Sequence, residues 1–209
     1  LLPLFLPIVI LLRSTGEGEI FFLQKRIGKD GKKFELFKFA TMLKNSPNIG
    51  TGTVTMKNDP RVLPLGRFLR KTKINELPQL LNIFFGDMSV IGPRPLTSQA
   101  FESYSDNTKR LIKKVRPGLS GIGSIVFRAE EEIMHGATGS IDFYENVIAP
   151  YKGKLEEWFV SNKSLYIYFV AIFVTAWTVL IPSTKIVWRV FKDLPEPPHD
   201  LKQALNITD

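Results

Sequence analysis

Residues 58–95 read NDPRVLPLGRFLRKTKINELPQLLNIFFGDMSVIGPRP, and this stretch decides the fold because it places a helical pattern between two turns. Asn75 is a favourable N-cap residue, Glu76 suits the first helical turn, and Pro78 is tolerated there. Apolar residues then recur three and four apart, which predicts a helix with one apolar face: Leu77, Leu80, Leu81, Phe84 and Phe85. Gly86 is a typical helix stop.

The residues on either side of this helix favour phosphate binding. Four basic residues precede it between Gly66 and Lys73, and Arg94 follows it on a loop that two prolines make rigid. Cations before a helix N-terminus and an arginine on a rigid loop suit phosphate groups. Glu76 could hold a magnesium ion that bridges such phosphates. For the basic stretch alone, a solvated charged face is the alternative.

Short elements flank this region on both sides. Ile20 to Arg26 and Phe34 to Phe39 predict a β-hairpin, because Gly and Asp residues between them supply the turn. Residues 115–124 are rich in glycine but lack the spacing of a P-loop or a dinucleotide fingerprint. Further on, helical spacing predicts an amphipathic core helix with Tyr151, Leu155, Trp158 and Phe159 on one face.

Both termini are apolar. Twelve apolar residues precede Arg13, and as a helix they reach only about 18 Å against about 30 Å of hydrocarbon. Pro3 and Pro7 would kink such a helix, so we interpret it as the end of a membrane segment, spanning or re-entrant, with a buried core helix as the alternative. Leu165 to Pro182 is uncharged and could span or lie in the interface, and residues 184–192 form an amphipathic segment with basic edges.

Composition limits the classes of function. The 209 residues carry a net charge of +8 and no cysteine, which excludes a disulfide framework, a thiol nucleophile and cysteine-based metal sites. The charge calls for an anionic partner. Nucleic acid is disfavoured, because the basic residues are not interleaved with aromatic ones and no recognition motif occurs. His135 and His199 are isolated and lack metal-ligand spacing.

Three segments resemble the bacterial sugar transferase family, the monotopic phosphoglycosyl transferases. They are FFLQKRIGKDGKKFELFKFATM at residues 21–42, the stretch 58–95 quoted above, and VRPGLSG at residues 115–121. The resemblance implies transfer of a sugar-1-phosphate from a UDP-sugar to undecaprenyl phosphate, with release of UMP, as the first membrane step of bacterial glycoconjugate assembly. It also implies a re-entrant N-terminal helix kinked at a proline, for which Pro3 is the better match and Pro7 the alternative.

The resemblance assigns roles residue by residue. It implies that Glu76 binds Mg²⁺ and that Arg94 holds the phosphate of the donor. It implies that Arg70 lies near the acceptor phosphate. The remaining substrate-binding positions that it implies are Lys38, Thr41 and Arg128. Asp59 and Arg61 match a turn that is more structural than catalytic.

One departure from the family pattern bears directly on mechanism. Asn75 stands where the family has the aspartate that attacks the donor phosphate, and an amide is a far poorer nucleophile than a carboxylate. Four explanations are open: an engineered trap, a natural branch with another nucleophile (for example Glu76 itself), direct transfer without a covalent intermediate, and an inert relative. We favour a natural branch, because Ala40 and residues 121–124 depart from the pattern as well. Glu130, Glu131 and Glu132 are candidate replacement carboxylates, or else a solvated helix start.

These features together predict an α+β fold, a small module of helices and short strands with a re-entrant N-terminal membrane helix and interfacial amphipathic helices near the C-terminus. The expected segments are the end of the re-entrant helix (1–15), a cytosolic catalytic module (16–163), an interfacial segment (164–192) and a polar tail (193–209). The expected partners are a UDP-sugar, undecaprenyl phosphate and lipids of the bacterial inner membrane, with the module facing the cytoplasm. A homodimer is compatible with the sequence. A non-catalytic membrane-bound relative is the alternative function.

Overall fold

The computed structural model describes residues 2–49, 59–128, 133, 141–181, 185–202 and 204–205. Four short strands are described: β1 (Phe21–Ile27), β2 (Lys33–Phe39), β3 (Ser89–Ile91) and β4 (Gly118–Ser120). The described helices are α1 (Leu2–Ser14), α2 (Pro64–Lys71), α3 (Gln79–Phe84), α4 (Ser98–Glu102), α5 (Asp106–Ile112), α6 (Ile122–Val126), α7 (Ile141–Phe143), α8 (Ala149–Asn162), α9 (Leu165–Leu180), α10 (Lys185–Val190) and α11 (His199–Lys202). This mixture of helices and short strands confirms the α+β prediction.

The chain divides into two compact units. Unit 1 comprises Leu1–Gln24 and Glu35–Asn82, and unit 2 comprises Lys25–Phe34 and Ile83–Asp209. The predicted hairpin is confirmed, since β1 pairs with β2. Its turn is tight because Asp30 and Gly31 both adopt positive φ angles, of 57° and 76°, a conformation that glycine and aspartate tolerate better than most residues.

The core of unit 1 forms where α1 contacts β2 and α2. Ile8 and Leu12 of α1 are buried with Phe39 and Leu69, while Leu6, Ile10 and Leu11 on the same helix are exposed. The helix continues through Pro7, and the re-entrant geometry expected for it stays a prediction. Among the described residues, no helix combines the length and the apolar character needed to cross a bilayer.

The core of unit 2 is built on a two-stranded parallel ladder. Ser89 pairs with Gly118 and Ile91 with Ser120. The main chain of β4 comes very close to Gly92, the residue that follows β3, since a Cβ added at Gly118 would lie 2.1 Å from the Gly92 nitrogen. Helix α8 packs on this region and confirms the predicted core helix: Tyr151, Leu155 and Phe159 are buried and Trp158 is packed against the same cluster.

Helix α9 has two different faces. Three residues at helical spacing are buried in unit 2: Ala171, Val174 and Thr178. Two hydroxyl contacts hold this face to the ladder, one between Tyr168 and Ser89 (3.0 Å) and one between Thr175 and Ser120 (2.9 Å). The opposite face exposes a stripe of large apolar residues: Leu165, Tyr166, Phe169, Phe173, Trp177 and Leu180. We call this set the α9 stripe.

The segment after Asp193 differs from the polar tail expected there. Leu194, Leu201 and Leu205 are buried in the core cluster of unit 2. The Tyr151 hydroxyl also donates a hydrogen bond to the Pro195 carbonyl (2.7 Å). The apolar residues are few, but their spacing lets them remove enough surface from water to order a segment that is polar on average.

The helix predicted from Asn75 onward also differs, in two respects. Its start is a separate 3-10 turn, Ile74–Glu76, and α3 begins only at Gln79. Asn75 therefore lies inside a turn and makes no capping bond. The apolar face is also not the buried one, because Phe84 and Phe85 are 83% and 64% exposed whereas Gln79 and Asn82 are buried.

Hydrogen bonding explains this reversal. The Asn82 side chain accepts a bond from the Phe37 N–H (3.0 Å) and donates one to the Glu35 carbonyl (2.7 Å). Both groups belong to β2, and main-chain groups of a strand edge that lose water without gaining a partner are costly. A polar residue on α3 is thus needed inside unit 1.

Candidate active site

The 3-10 turn of unit 1 carries the two residues that the sequence analysis placed at the centre of the chemistry. Lys73 enters the turn with a positive φ of 60°, and the Glu76 N–H donates to the Lys73 carbonyl (3.1 Å). Asn75 is only 6% exposed, and its Oδ1 has no hydrogen-bond partner among the described residues. Glu76 is half-buried. The turn therefore holds a buried amide beside a half-buried glutamate.

Three more predicted substrate-binding residues lie in unit 1. Lys38 is half-buried on β2, and Thr41 is buried just beyond it. Arg70 lies on α2, which contacts the 3-10 turn, and its Nη1 lies 3.9 Å from Met42 Sδ. Unit 1 thus contains Lys38, Thr41, Arg70, Asn75 and Glu76.

A close backbone approach fixes α2 in this unit. The Thr41 carbonyl accepts a bond from the Leu63 N–H (3.0 Å) immediately before α2. A Cβ at Gly66 would lie 2.1 Å from the same carbonyl oxygen, so no larger residue fits there without moving the backbone. The position of Arg70 on α2 therefore depends on Gly66.

Asp59 and Arg61 form a buried clamp, which agrees with the structural role inferred for their turn. Arg61 Nε and Nη2 donate to the two carboxylate oxygens of Asp59 at 2.9 and 2.6 Å. Its Nη1 donates to the carbonyls of Ser46 and Ile49, both at 2.8 Å. The pKa of Arg61 is raised, chiefly by the hydrogen bond to Asp59. All the strong donors of this arginine are directed at the protein itself, so it acts as a loop anchor.

Unit 2 carries Arg94. The loop after β3 buries Pro93 and Pro95 and leaves Arg94 exposed between them. Arg26 Nη1 holds the loop by donating to the Pro95 carbonyl (3.1 Å). A pocket beside the loop is lined mainly by apolar residues, and Arg94 and Lys113 are the charged residues in its lining. An apolar pocket with two cations suits an anion that also has an apolar or aromatic part.

The other predicted residues lie near or beyond the described parts of the chain. Arg128 is half-buried, just after α6. Glu130, Glu131 and Glu132, and His135 as well, lie outside the described residues. His199 is exposed on α11.

Glu156 was not predicted from the sequence. This residue of α8 is 3% exposed, and burial raises its pKa to about 7, against a smaller lowering by the Arg94 hydrogen bond and by the charges of Lys152 and Arg94. Its Oε1 accepts a bond from the Arg94 N–H (3.4 Å). Its Oε2 is buried without a hydrogen-bond partner among the described residues. A signal for it existed, because Lys152 and Glu156 stand four apart on the apolar face of α8.

Magnesium was expected at Glu76. No group of three or more potential protein ligands occurs among the described residues. Magnesium does not need one, because it usually keeps several waters and binds through one or two carboxylates together with substrate phosphates. The half-buried Glu76 carboxylate fits that requirement as a single protein ligand.

Comparison with known proteins places these observations in a family. The family model for bacterial sugar transferases matches residues 1–182. The exopolysaccharide production protein ExoY of Rhizobium meliloti is 38% identical over 137 residues, which are 59% of this chain and 60% of that protein. Undecaprenyl-phosphate galactose phosphotransferase of Salmonella typhimurium is 31% identical over 177 residues, 78% of this chain and 34% of that protein.

A third relative extends the match. UDP-N-acetylgalactosamine-undecaprenyl-phosphate N-acetylgalactosaminephosphotransferase of Aeromonas hydrophila is 32% identical over 182 residues, 85% of this chain and 39% of that protein. The chain thus spans about three fifths of the Rhizobium protein and well under half of the other two. Because the family model covers residues 1–182 without interruption, from α1 through the turn with Glu76 and the loop with Arg94 to the end of α9, the chain belongs to the bacterial sugar transferase family.

Proposed function

We propose that the chain transfers a sugar-1-phosphate from a UDP-sugar to undecaprenyl phosphate and releases UMP. The bond broken is the one between the sugar-bearing phosphorus and the oxygen that bridges it to the second phosphorus, and this oxygen leaves with UMP. The bond formed joins the sugar-bearing phosphorus to an oxygen of the acceptor phosphate. The observation that carries this proposal is the family match over residues 1–182, which includes every predicted site residue. The names of the Salmonella and Aeromonas relatives describe this class of reaction.

The chemistry of Arg94 supports the donor half of the proposal. An exposed guanidinium on a loop anchored by two buried prolines is a preorganised phosphate ligand. Lys113 lines the same small pocket as Arg94 and adds a second positive charge beside the loop. Arg128 is proposed as a second cation for the donor, and Lys38 and Thr41 as further substrate ligands.

Glu76 and Arg70 complete the proposal in unit 1. Glu76 would hold Mg²⁺, which when bound neutralises charge on the phosphates it bridges. Arg70 would serve the acceptor phosphate, since α2 contacts the turn that carries Glu76. The α9 stripe supports association with a membrane, because aromatic and aliphatic side chains exposed along one helical face suit the lipid interface. We propose the cytoplasmic face of the inner membrane as the location.

A decisive experiment measures UMP release by the detergent-solubilised chain with a panel of UDP-sugars. Release is expected only when undecaprenyl phosphate and Mg²⁺ are both present. Glu76→Gln and Arg94→Ala are expected to lower the rate at least a hundredfold, in line with the loss of one charged group that contacts phosphate. Absence of release across a broad panel would count against the proposal.

Asn75 favours a second candidate function, a non-catalytic relative that binds nucleotide sugar or polyprenol phosphate. The amide is buried and cannot act as a carboxylate nucleophile. Under this alternative the chain binds UDP but releases no UMP with any sugar. Under the first proposal, either another carboxylate attacks or the acceptor phosphate attacks directly. Replacing Glu76, Glu130, Glu131 and Glu132 singly by Gln tests the former, and full activity of the last three variants removes those three residues as the nucleophile.

A further inference from the structure

Glu156 is the least expected group in unit 2, because a carboxyl group is rarely buried without a full set of partners. Its side chain is 3% exposed on α8. Oε1 faces the Arg94 N–H at 3.4 Å, whereas Oε2 has no hydrogen-bond partner among the described residues. A half-satisfied buried carboxyl group costs stability, so a folding role alone does not account for it.

Two residues, Gly123 of α6 and Lys152 of α8 itself, define the surroundings of this carboxyl group. Gly123 of α6 lies against it, since a Cβ at that position would come within 2.7 Å of Glu156 Oε1. Lys152, one turn earlier on α8, is buried with its ammonium 5.1 Å from the centroid of the Phe127 ring and 5.5 Å from that of the Tyr144 ring. The aromatic rings help to keep this lysine charged in the interior, and its charge favours the ionised carboxylate.

The group that the carboxyl contacts belongs to the proposed binding loop. The N–H is that of Arg94 itself, whose side chain is exposed. A hydrogen bond to the main chain of a residue limits rotation of its peptide plane and thereby sets where its side chain leaves the backbone. The prolines on both sides fix their own φ angles and have no N–H to donate. Glu156 therefore contacts the N–H at the centre of the Pro93–Arg94–Pro95 loop.

We propose that Glu156 is a positioning residue: by accepting the main-chain N–H of Arg94, it fixes the direction in which the Arg94 guanidinium meets the phosphate of a nucleotide sugar. This inference rests on the proposed function, because it assumes that Arg94 binds a donor phosphate. It assigns Glu156 no contact with the substrate.

The test measures the affinity for UDP, by calorimetry in the presence of Mg²⁺, of variants that keep or lose a hydrogen-bond acceptor at position 156. Glu156→Met removes the acceptor at similar size and is expected to weaken UDP binding about tenfold. Glu156→Gln keeps an acceptor oxygen and is expected to stay within about threefold of the wild type. Glu157→Met makes the same change on the next residue of α8, whose carboxylate contacts Thr108, and is expected to leave UDP binding unchanged.

A double-mutant cycle separates action through Arg94 from any other action. In an Arg94→Ala background, where no guanidinium is left to position, Glu156→Met is expected to change UDP binding less than about twofold. Full additivity of the two changes would overturn the proposal, as would equal losses in the Gln and Met variants or no loss in either. If Glu156→Met fails to fold, Glu156→Asp takes its place, because the shorter side chain withdraws the acceptor while keeping the charge.

Gly123→Ala provides a test that alters neither partner of the hydrogen bond. The added methyl group would displace the end of the Glu156 side chain and is expected to weaken UDP binding in the same direction. Gly153→Ala, on α8 against Thr108, is the control. If the wild-type chain binds no UDP and releases no UMP, the proposed function itself fails. If the wild type binds UDP and the cycle is additive, only the role of Glu156 fails.

Discussion

Asn75 decides which chemistry the 3-10 turn of unit 1 can perform. Asn75 is 6% exposed at the position where the resemblance to the family implies a carboxylate, and its Oδ1 finds no hydrogen-bond donor among the described residues. An unpartnered buried amide oxygen costs about 1–3 kcal/mol. The residue is therefore not explained as a stabilising replacement for an aspartate, and its effect on catalysis has to be measured directly.

Asn75→Asp is the first residue-scale test. If the chain is inert because it lacks the family nucleophile, the substitution restores UMP release from a value near zero. If the natural site works without that nucleophile, the substitution changes the rate less than about tenfold. The assay is UMP release at fixed Mg²⁺, and Asn48→Asp, a like change at an exposed position of unit 1, is the control that should restore nothing.

The second residue-scale prediction concerns Glu156 and pH. Its folded pKa is raised to about 7 from 4.5, so between these values the folded state holds a proton that the unfolded state has lost. The free energy of unfolding should therefore be highest below pH 4.5 and fall by about 3 kcal/mol as the pH rises to 7. Above pH 7 this contribution should stay level. Glu156→Gln should remove this dependence and unfold at a higher temperature than the wild type at pH 8.

The comparison is made as the difference between wild type and variant, because other groups also titrate in this range. The charged groups that act on Glu156 are Lys152 on the same helix and Arg94 on the loop after β3. A variant that unfolds at a lower temperature than the wild type at pH 8 would contradict the raised pKa. A gain in stability combined with weaker UDP binding in the Met variant would show a residue retained for function at a cost in stability.

At the scale of elements, α3 shows how a strand edge can override an amphipathic pattern. Asn82→Ala should lower the free energy of unfolding by about 2–3 kcal/mol, because the Phe37 N–H and Glu35 carbonyl lose their side-chain partner inside unit 1. Denaturant titration measures the change. Asn48→Ala, at an exposed position, should cost less than about 0.5 kcal/mol.

The α9 stripe makes a second element-scale prediction. Phe173→Glu places a charge in the middle of the exposed apolar face and should reduce co-sedimentation with anionic lipid vesicles severalfold, while leaving the melting temperature nearly unchanged. Ser161→Glu, exposed near the end of α8, adds the same charge outside the stripe and should bind vesicles normally. Equal binding by all three proteins would assign the stripe to another partner.

Local sequence rules predicted the elements whose causes are local. The hairpin followed from turn residues between two apolar segments, and α8 followed from helical spacing of large side chains. The role of α3 was not predictable, because it depends on main-chain groups of β2 that are more than forty residues away in sequence. Glu156 was missed for the same reason, since its burial depends on α6 and on the Arg94 loop.

At the scale of the whole molecule, the core of unit 2 extends past the family match. The match ends at residue 182, yet Val187, Phe191, Leu201 and Leu205 are buried in that core. Leu201→Ala should therefore lower the free energy of unfolding by about 3 kcal/mol, as for a fully buried leucine. His199→Ala, exposed on the same short helix, should leave the free energy of unfolding unchanged. If Leu201→Ala also leaves it unchanged, the segment after Asp193 behaves as the polar tail expected from the sequence.

The buried leucines after Asp193 also set an order in time. Unit 1 has all of its residues once position 82 has been synthesised, so it can fold while the rest of the chain is still being made. Unit 2 cannot close its core until Leu201 and Leu205 have followed. During that interval the apolar residues of α8 and α9 lack part of their cover, so translation that stalls between these points would leave one folded unit and one exposed to aggregation or to chaperones.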